Sequence, residues 1–394
     1  LAFDAWCVSD AAMIHPVCRA LPALVATLLA GPLWAEGPQM TSAVKEGVTT
    51  VNDVAANKTA PDTKPDLLVV PIPQSSPALG TGVTVGGAMF YNPNGSKEPW
   101  TTGGAVMATS NGSWAVGAGH KMFWGKDKFK LTAFAGYGDV NLRFYGIGPL
   151  AGELNKSVDI NDSGFIAFVD PQVRVAPNFY LGVRALYLDL SVRLRRDQEV
   201  PPEIELPVRD FESRLVQMGP VAVYDSRDNS LYPRNGVYAQ ASLLMGLTGL
   251  GSDFDNERFT AYANVYKSLS PHTVFAARVS TCAVSKGSPF YDICLYGASS
   301  DLRGYEAGRF RDFASWATQA ELRHRLKGRF GVAAFAGVGG IASSLSDIGD
   351  SKVLPAAGLG LRWQASKETP INLRIDYAVG KDSQALYVSV GEAF

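Results

Sequence analysis

The chain has 394 residues, with 36 Lys and Arg against 37 Asp and Glu, 40 glycines, 10% aromatic residues and 19% charged residues. Balanced charge without a basic surplus argues against a nucleic-acid partner, and a mean hydropathy of +0.02 excludes a bundle of apolar membrane helices. Charge below the roughly 25% usual for globular domains, with abundant glycine and aromatics, suits strands that have one apolar and one polar face. A soluble all-β protein would share that composition.

From Met13 the sequence reads as a secretory signal peptide. Arg19 precedes an apolar run from Leu21 to Leu29, and Gly31-Pro32-Leu33-Trp34-Ala35 places cleavage after Ala35. The twelve residues before Met13 read as upstream translation. The apolar run is too short to span about 30 Å of hydrocarbon, and Cys18 lies ahead of it, which disfavours a lipoprotein signal. Loss of residues 1–35 would remove Asp4, Asp10 and Arg19 and bring the formal charge from −1 to 0. Residues 36–65 read as a polar linker or small luminal plug, with room for a short helix over 41–54.

From Asp66 to Phe394 the period is two. Phe259, Ala261, Ala263 and Val265 alternate with Thr260, Tyr262, Asn264 and Tyr266; Ile371, Leu373, Ile375 and Tyr377 alternate with Asn372, Arg374 and Asp376. Each segment therefore has an apolar and a polar face. The polar face carries arginines and carboxylates in mid-strand, as a wet lumen allows and a sandwich core does not. Two places depart from the pattern. Apolar parity switches near Leu186, which suggests a bulge, and Pro220 removes a ladder donor in mid-strand.

Turn signals predict strands over 79–92, 101–111, 113–124, 128–145, 164–175, 179–195, 214–227, 236–248, 257–269, 272–284, 312–326, 329–342, 353–366, 370–380 and 385–394. Short and long connections mostly alternate, as in outer-membrane barrels. Two chain ends in the periplasm require an even count, and residues 67–75, interrupted by Pro71 and Pro73, supply the sixteenth. The expected fold is all-β, a transmembrane antiparallel β-barrel of sixteen strands. Its first strand would be short and poorly bonded, and its seam with the last would be the weakest edge.

The longest connection, 286–311, follows Cys282, contains Cys294 and carries Leu302-Arg303-Gly304-Tyr305. In an oxidising compartment the two cysteines are expected to be bonded, the other reading being two buried thiols. No zinc-type spacing exists. The loop reads as folded back into the lumen. A luminal guanidinium demands a carboxylate, which its planar fork grips bidentately; Gly304 allows a tight backbone and Tyr305 packs the tip. Glu321 and Asp376 both have inward parity, and the choice between them is open.

Three blocks carry a family resemblance. Tyr224-Asp-Ser-Arg-Asp-Asn-Ser-Leu-Tyr-Pro-Arg-Asn-Gly236 looks like a strand–turn–strand unit, Pro289-Phe-Tyr with Gly297 to Tyr305 like a sixth outer loop, and Asn372-Leu-Arg-Ile-Asp-Tyr-Ala378 with Phe394 like the last two strands. Together they resemble the BamA/TamA-like superfamily, the surface-antigen barrels of bacterial outer membranes. The resemblance implies that Arg303, Gly304 and Tyr305 latch the loop in the lumen. It also implies that Phe394 is an assembly signal read by the barrel-assembly machinery, of which the chain would be a client among outer-membrane lipids. Asp225, Arg227 and Asp228 would form salt bridges at the periplasmic rim.

Two departures stand out. The family's usual aromatic-x-Asp-x-Gly strand after the loop is here Phe335-Ala-Gly-Val-Gly339, so Gly337 replaces the acid. Members that insert or secrete proteins carry periplasmic POTRA modules, and residues 36–65 have no room for one; a separate periplasmic POTRA-like or chaperone protein would then act as partner. His120, His272 and His324 fall in no catalytic motif, and no P-loop or G-x-S-x-G is present, so neither an enzyme nor a cofactor or metal site is expected. The expected function is assisted insertion or translocation of proteins (or lipids) through the seam between first and last strands. The alternative is a gated pore or structural barrel with no protein client.

Overall fold

The computed structural model describes residues 66–96, 100–195, 198–207, 211–230, 232–297, 301–364 and 372–394. The expected signal peptide and linker lie outside these residues. Sixteen strands close an antiparallel cylinder: β1 (Asp66–Ser76), β2 (Gly80–Tyr91), β3 (Trp100–Thr109), β4 (Trp114–Trp124), β5 (Phe129–Phe144), β6 (Val158–Ala176), β7 (Phe179–Leu194), β8 (Glu212–Asp225), β9 (Gly236–Gly246), β10 (Glu257–Ser268), β11 (Thr273–Val284), β14 (Ala314–Arg325), β15 (Phe330–Ala342), β16 (Leu354–Gln364), β17 (Asn372–Gly380) and β18 (Ser383–Val390). The remaining two, β12 (Cys294–Tyr296) and β13 (Phe310–Asp312), form a small hairpin within the connection from β11 to β14. No described helix is long and apolar enough to cross a membrane.

Two strand ends differ from the sequence expectation by more than two residues. β6 begins at Val158, not 164, because Val158 and Ile160 are buried inward and extend the wall. β18 stops at Val390. Gly391, at φ +90°, turns the chain off the strand line and donates its N–H to the Asn372 carbonyl at 2.8 Å.

The outer face is apolar in mid-strand: Val83, Val85, Leu181, Val183, Leu359 and Leu361 are all exposed there. The inner face is not uniformly wet. Toward the end that carries the long connections, Val140, Leu142 and Phe144 of β5, Ile160 and Ile166 of β6, and Leu186, Leu188, Leu190 and Val192 of β7 turn inward. They pack with Phe254, Phe290 and Tyr291 in one buried cluster. This explains the parity switch in β7, and the expected bulge at Leu186 is not there. Register with β8 is unbroken from Phe179↔Tyr224 to Ser191↔Glu212. What changes sides is the apolar surface: Leu181 and Val183 face outward low on the strand, and a dry interior takes over above Ala185. The register shift lies on β6, between Arg174 and Ala176.

Pro220 is accommodated at a gap in the β8–β9 ladder. Pairing runs through Gln217↔Gly246 and Met218↔Met245, omits Gly219 and Pro220, and resumes at Val221↔Ser242. A Cβ on Gly219 would sit 1.8 Å from the Leu243 carbonyl oxygen, so only glycine fits this close approach.

β1 is longer than expected, at eleven residues, and registers with β2 along its whole length from Asp66↔Phe90 to Ser76↔Gly80. With β18 it shares a single pair, Ser75↔Val388. Alternate residues aim their N–H groups at the same neighbour. Pairing with β2 continues past Pro71 and Pro73, so both missing donors face β18. The closure is therefore weak on one side only.

The dry interior makes a measurable prediction. Leu188→Ala, at a fully buried inward position, should destabilise the barrel by about 2–5 kcal/mol, seen as a lower midpoint of heat-induced unfolding in detergent. Leu181→Ala, on the outer face, should leave that midpoint nearly unchanged. Equal shifts would contradict an apolar core inside the wall.

Candidate functional site

The connection between β11 and β14 enters the cylinder from the long-loop end and is held at successive depths. Cys282 of β11 is disulfide-bonded to Cys294 at the head of the hairpin, with the Cα atoms 5.7 Å apart. Above it, the buried Asp292 carboxylate accepts from Gln217 at 2.7 Å and Asn256 at 2.9 Å and pairs with Arg258 at 3.4 Å. Tyr296, Tyr305 and Phe310 stack edge to face or tilted, with centroids 5.4–6.4 Å apart. On the opposite wall Glu306 accepts from Arg143 Nε and the Tyr145 hydroxyl, each at 3.0 Å. Burial pushes the Glu306 carboxyl up, against the downward pull of Arg143.

The tip is Leu302-Arg303-Gly304-Tyr305. Gly304 adopts φ +128° and lies against Ala356 and the Val379 backbone, where a Cβ would have its nearest neighbour at 3.0 Å. Its N–H donates to the Tyr387 hydroxyl at 3.1 Å, and that hydroxyl donates to the Tyr305 carbonyl at 3.0 Å. The Tyr305 hydroxyl donates to the Pro355 carbonyl at 2.6 Å and accepts from the Lys381 N–H at 2.9 Å. Leu302 fills the space over Gly337: a Cβ there would lie 2.6 Å from Leu302 Cδ1. The position where the resemblance leads one to seek an acid is thus closed by an apolar side chain.

Arg303 is fully buried. Its guanidinium donates through Nη1 to Asp376 Oδ2 at 2.5 Å, and through Nη2 to Glu321 Oε2 and, at 3.3 Å, to Gln319 Oε1. The fork bridges both candidate carboxylates, so the choice left open by parity resolves as both. Its flat face lies 3.4 Å from the centroid of the Phe335 ring. Neither carboxylate belongs to Arg303 alone. Glu321 also accepts from Arg323 Nε at 2.6 Å, and Asp376 from Arg362 Nη1 at 2.5 Å, with Arg374 at 3.6 Å. Arg362 continues to Glu392 at 2.8 Å. Four guanidiniums thus surround three carboxylates in a region almost without solvent exposure.

The other residues singled out in the sequence fall elsewhere. Arg227 grips Asp225 bidentately at 3.0 and 2.9 Å and covers the Tyr238 ring at 3.9 Å. Asp228 instead accepts from the Arg234 and Asn235 N–H groups and shapes the turn before β9. Phe394 lies beyond β18, and its main-chain oxygen accepts from Arg323 Nη2 at 2.8 Å. Sequence reasoning did not name Arg323, Arg362, Arg374, Gln319, Phe335, Tyr387 or Glu392 as part of the site. The first five and Tyr387 share the inward parity of their strands with Glu321 or Asp376, which was the available signal. Glu392 has none, because it reaches the network only through the turn at Gly391. Among the described residues no cluster of potential metal ligands occurs.

A family model described as the Omp85 superfamily domain matches residues 78–394. Among solved structures, the fold is similar to that of BamA from Haemophilus ducreyi lacking POTRA domains 1–3, with TM-score 0.57 and 14% identity over 84% of this chain and 70% of that one. It is also similar to CdiB from Acinetobacter baumannii (TM-score 0.57, 10% identity, 84% and 60% covered) and CdiB from Escherichia coli (TM-score 0.57, 11% identity, 86% and 69% covered). At such identities the likeness is one of fold. No curated protein matches the sequence.

Removing one member of a buried charge cluster strands the others, at a cost of about 3–5 kcal/mol. Arg303→Ala should therefore lower the unfolding midpoint and make the 297–312 segment cleavable by protease added at the long-loop side. Arg303→Lys should rescue little, because an ammonium cannot bridge two carboxylates as the fork does. Wild-type protease resistance in both variants would show that the tip is held by its aromatic contacts alone.

Proposed function

The chain belongs to the Omp85 superfamily of bacterial outer-membrane barrels, and on that premise we propose that it assists the insertion or translocation of proteins at the outer membrane through the β1–β18 boundary. The observation that carries this reading is the asymmetry of that boundary: eleven registered pairs tie β1 to β2, and one ties it to β18. Each backbone hydrogen bond contributes about 0.5–1.5 kcal/mol net, so parting β1 from β18 costs far less than parting any other neighbours. Pro71 and Pro73 keep the edge from zipping shut. β18, Ser383–Val390, contains no proline and offers an edge with all its donors to an incoming strand, which would dock by β-augmentation.

In this reading the luminal loop holds the cylinder's shape while the boundary opens. Arg303 ties the loop to β14 and β17, on the β18 side, and Glu306 ties it to β5, on the β1 side. The short-turn end faces the periplasm, where a separate POTRA-like or chaperone partner would deliver the client. The site acts as a clamp in this reading, its carboxylates Glu321 and Asp376 held by guanidiniums.

Ser75→Cys with Val388→Cys should form a disulfide across the boundary. The locked barrel should lose most of its ability to speed the insertion of a second, unfolded barrel protein into lipid vesicles, and regain it on reduction to the level of the equally reduced wild type, whose Cys282–Cys294 bond is opened by the same reductant. Full activity in the oxidised double variant would refute a role for this boundary. Steady ion conductance of Arg303→Ala in planar bilayers, without any effect of the lock on insertion, would instead favour the gated pore.

A further inference from the structure

Residues Gly391–Phe394 turn off the wall and enter the lumen at its short-turn end. Even-numbered residues of β18 face outward, as the exposed Gln384 and Leu386 show. A straight continuation would carry Glu392 to that same face, where a charge is set against lipid. The turn at Gly391 brings it inside instead, and its side chain is almost wholly buried. There Glu392 accepts from Arg362 Nε at 2.8 Å and from Asn372 Nδ2 at 2.7 Å, and the Phe394 main-chain oxygen accepts from Arg323 Nη2 at 2.8 Å.

These contacts run on to the loop tip. Arg362 donates through Nη1 to Asp376 Oδ1, while Asp376 Oδ2 takes Arg303; Arg323 donates through Nε to Glu321 Oε1, while Glu321 Oε2 takes Arg303. Two guanidinium–carboxylate relays therefore stand between tail and tip, each carboxylate shared between a wall arginine and Arg303. Negative charge is the scarce component. Arg303 Nε and Arg323 Nη1 are buried and lack an acceptor among the described residues. Without the tail, Arg303, Arg323, Arg362 and Arg374 would have only Glu321 and Asp376 between them. Like charges this close repel strongly where water is excluded. Arg323, Arg362 and Arg374 are fixed in strands, so Arg303, carried on a connection, is the one that can withdraw. We propose that the tail Gly391–Phe394 is a counter-charge for the loop tip, with Glu392 as its positioning residue: the seating of Glu392 in the lumen and the seating of Arg303 favour each other. By linkage the effect runs both ways. The loop that enters from the long-loop end and the tail that enters from the short-turn end thereby answer to one another. The coupling requires neither an open boundary nor a client, so it stands or falls apart from the insertion role.

Two rates measured on the full chain test this. One is protease cleavage within 297–312 from the long-loop side; the other is maleimide labelling of Ala393→Cys, read on the peptide that carries position 393. Glu392→Gln should speed the cleavage about tenfold, within the usual range for coupled sites, while Glu392→Asp, which keeps the charge, should stay within about twofold of wild type. Arg303→Ala should speed the labelling by a similar factor. Adding Glu392→Gln to Arg303→Ala should leave the loop no more cleavable than Arg303→Ala alone, because the coupling is already broken. Asp170→Asn, which breaks a buried pair with Arg184 on β6 and β7, should alter neither rate, and heat-modifiable migration in gels checks that each variant is folded. Equal acceleration by Glu392→Gln and Glu392→Asp would assign the tail to packing and overturn the proposal. Wild-type cleavage of Glu392→Gln, or factors that simply multiply in the double variant, would also overturn it. If the oxidised Ser75→Cys, Val388→Cys barrel still inserts its client while both rates respond as expected, the insertion role falls and the coupling stands.

Discussion

A guanidinium taken wholly out of water is costly unless its charge and its donors are met, and Arg303 meets that requirement by joining two strands that are not neighbours. Glu321 lies on β14 and Asp376 on β17, with β15 and β16 between them. The side chain therefore fixes the spacing of four consecutive strands from inside. Everything around it serves to deliver it there. The disulfide sets where the loop leaves the wall, the tyrosine–phenylalanine stack sets its depth, and Gly304 lets the chain turn against Ala356 without a side chain in the way. The neighbouring arginines Arg323 and Arg362 then supply the positive charge that one guanidinium cannot give two carboxylates.

The fold was largely legible because a barrel wall writes its geometry into every second residue. Strands with a lipid face and a polar luminal face, such as Phe259–Tyr266, could be bounded to within a residue or two. Legibility failed where that rule is broken locally. In β7 the inner surface changes from polar to apolar at mid-height, and the pattern alone cannot tell a change of environment from a change of register. At the C-terminal end of β18 the alternation persists past Val390, yet Gly391 diverts the chain, and only its positive φ reveals that. The carboxylates that hold Arg303 could be narrowed to two by parity. Parity could not say that one guanidinium spans both, since that depends on the distance across β15 and β16.

The interior is divided in a way composition does not disclose. Against β5–β8 the loop presents Phe290 and Tyr291 to a surface of leucine, isoleucine and valine; against β14–β18 it presents Arg303 to a web of charges. The first contact gains from excluding water and is indifferent to small sliding. The second depends on direction and tolerates little displacement. A single loop is thereby seated softly on one side of the cylinder and rigidly on the other.

The interruption at Gly219 and Pro220 has a geometric consequence of its own. The β8–β9 junction lies eight strands from the β1–β18 junction in either direction around the wall, so the two thinnest ladders are diametrically opposed. Across the wall from the single β1–β18 pair, the ladder lacks two of its rungs. The two interruptions divide the sixteen strands into two runs of eight.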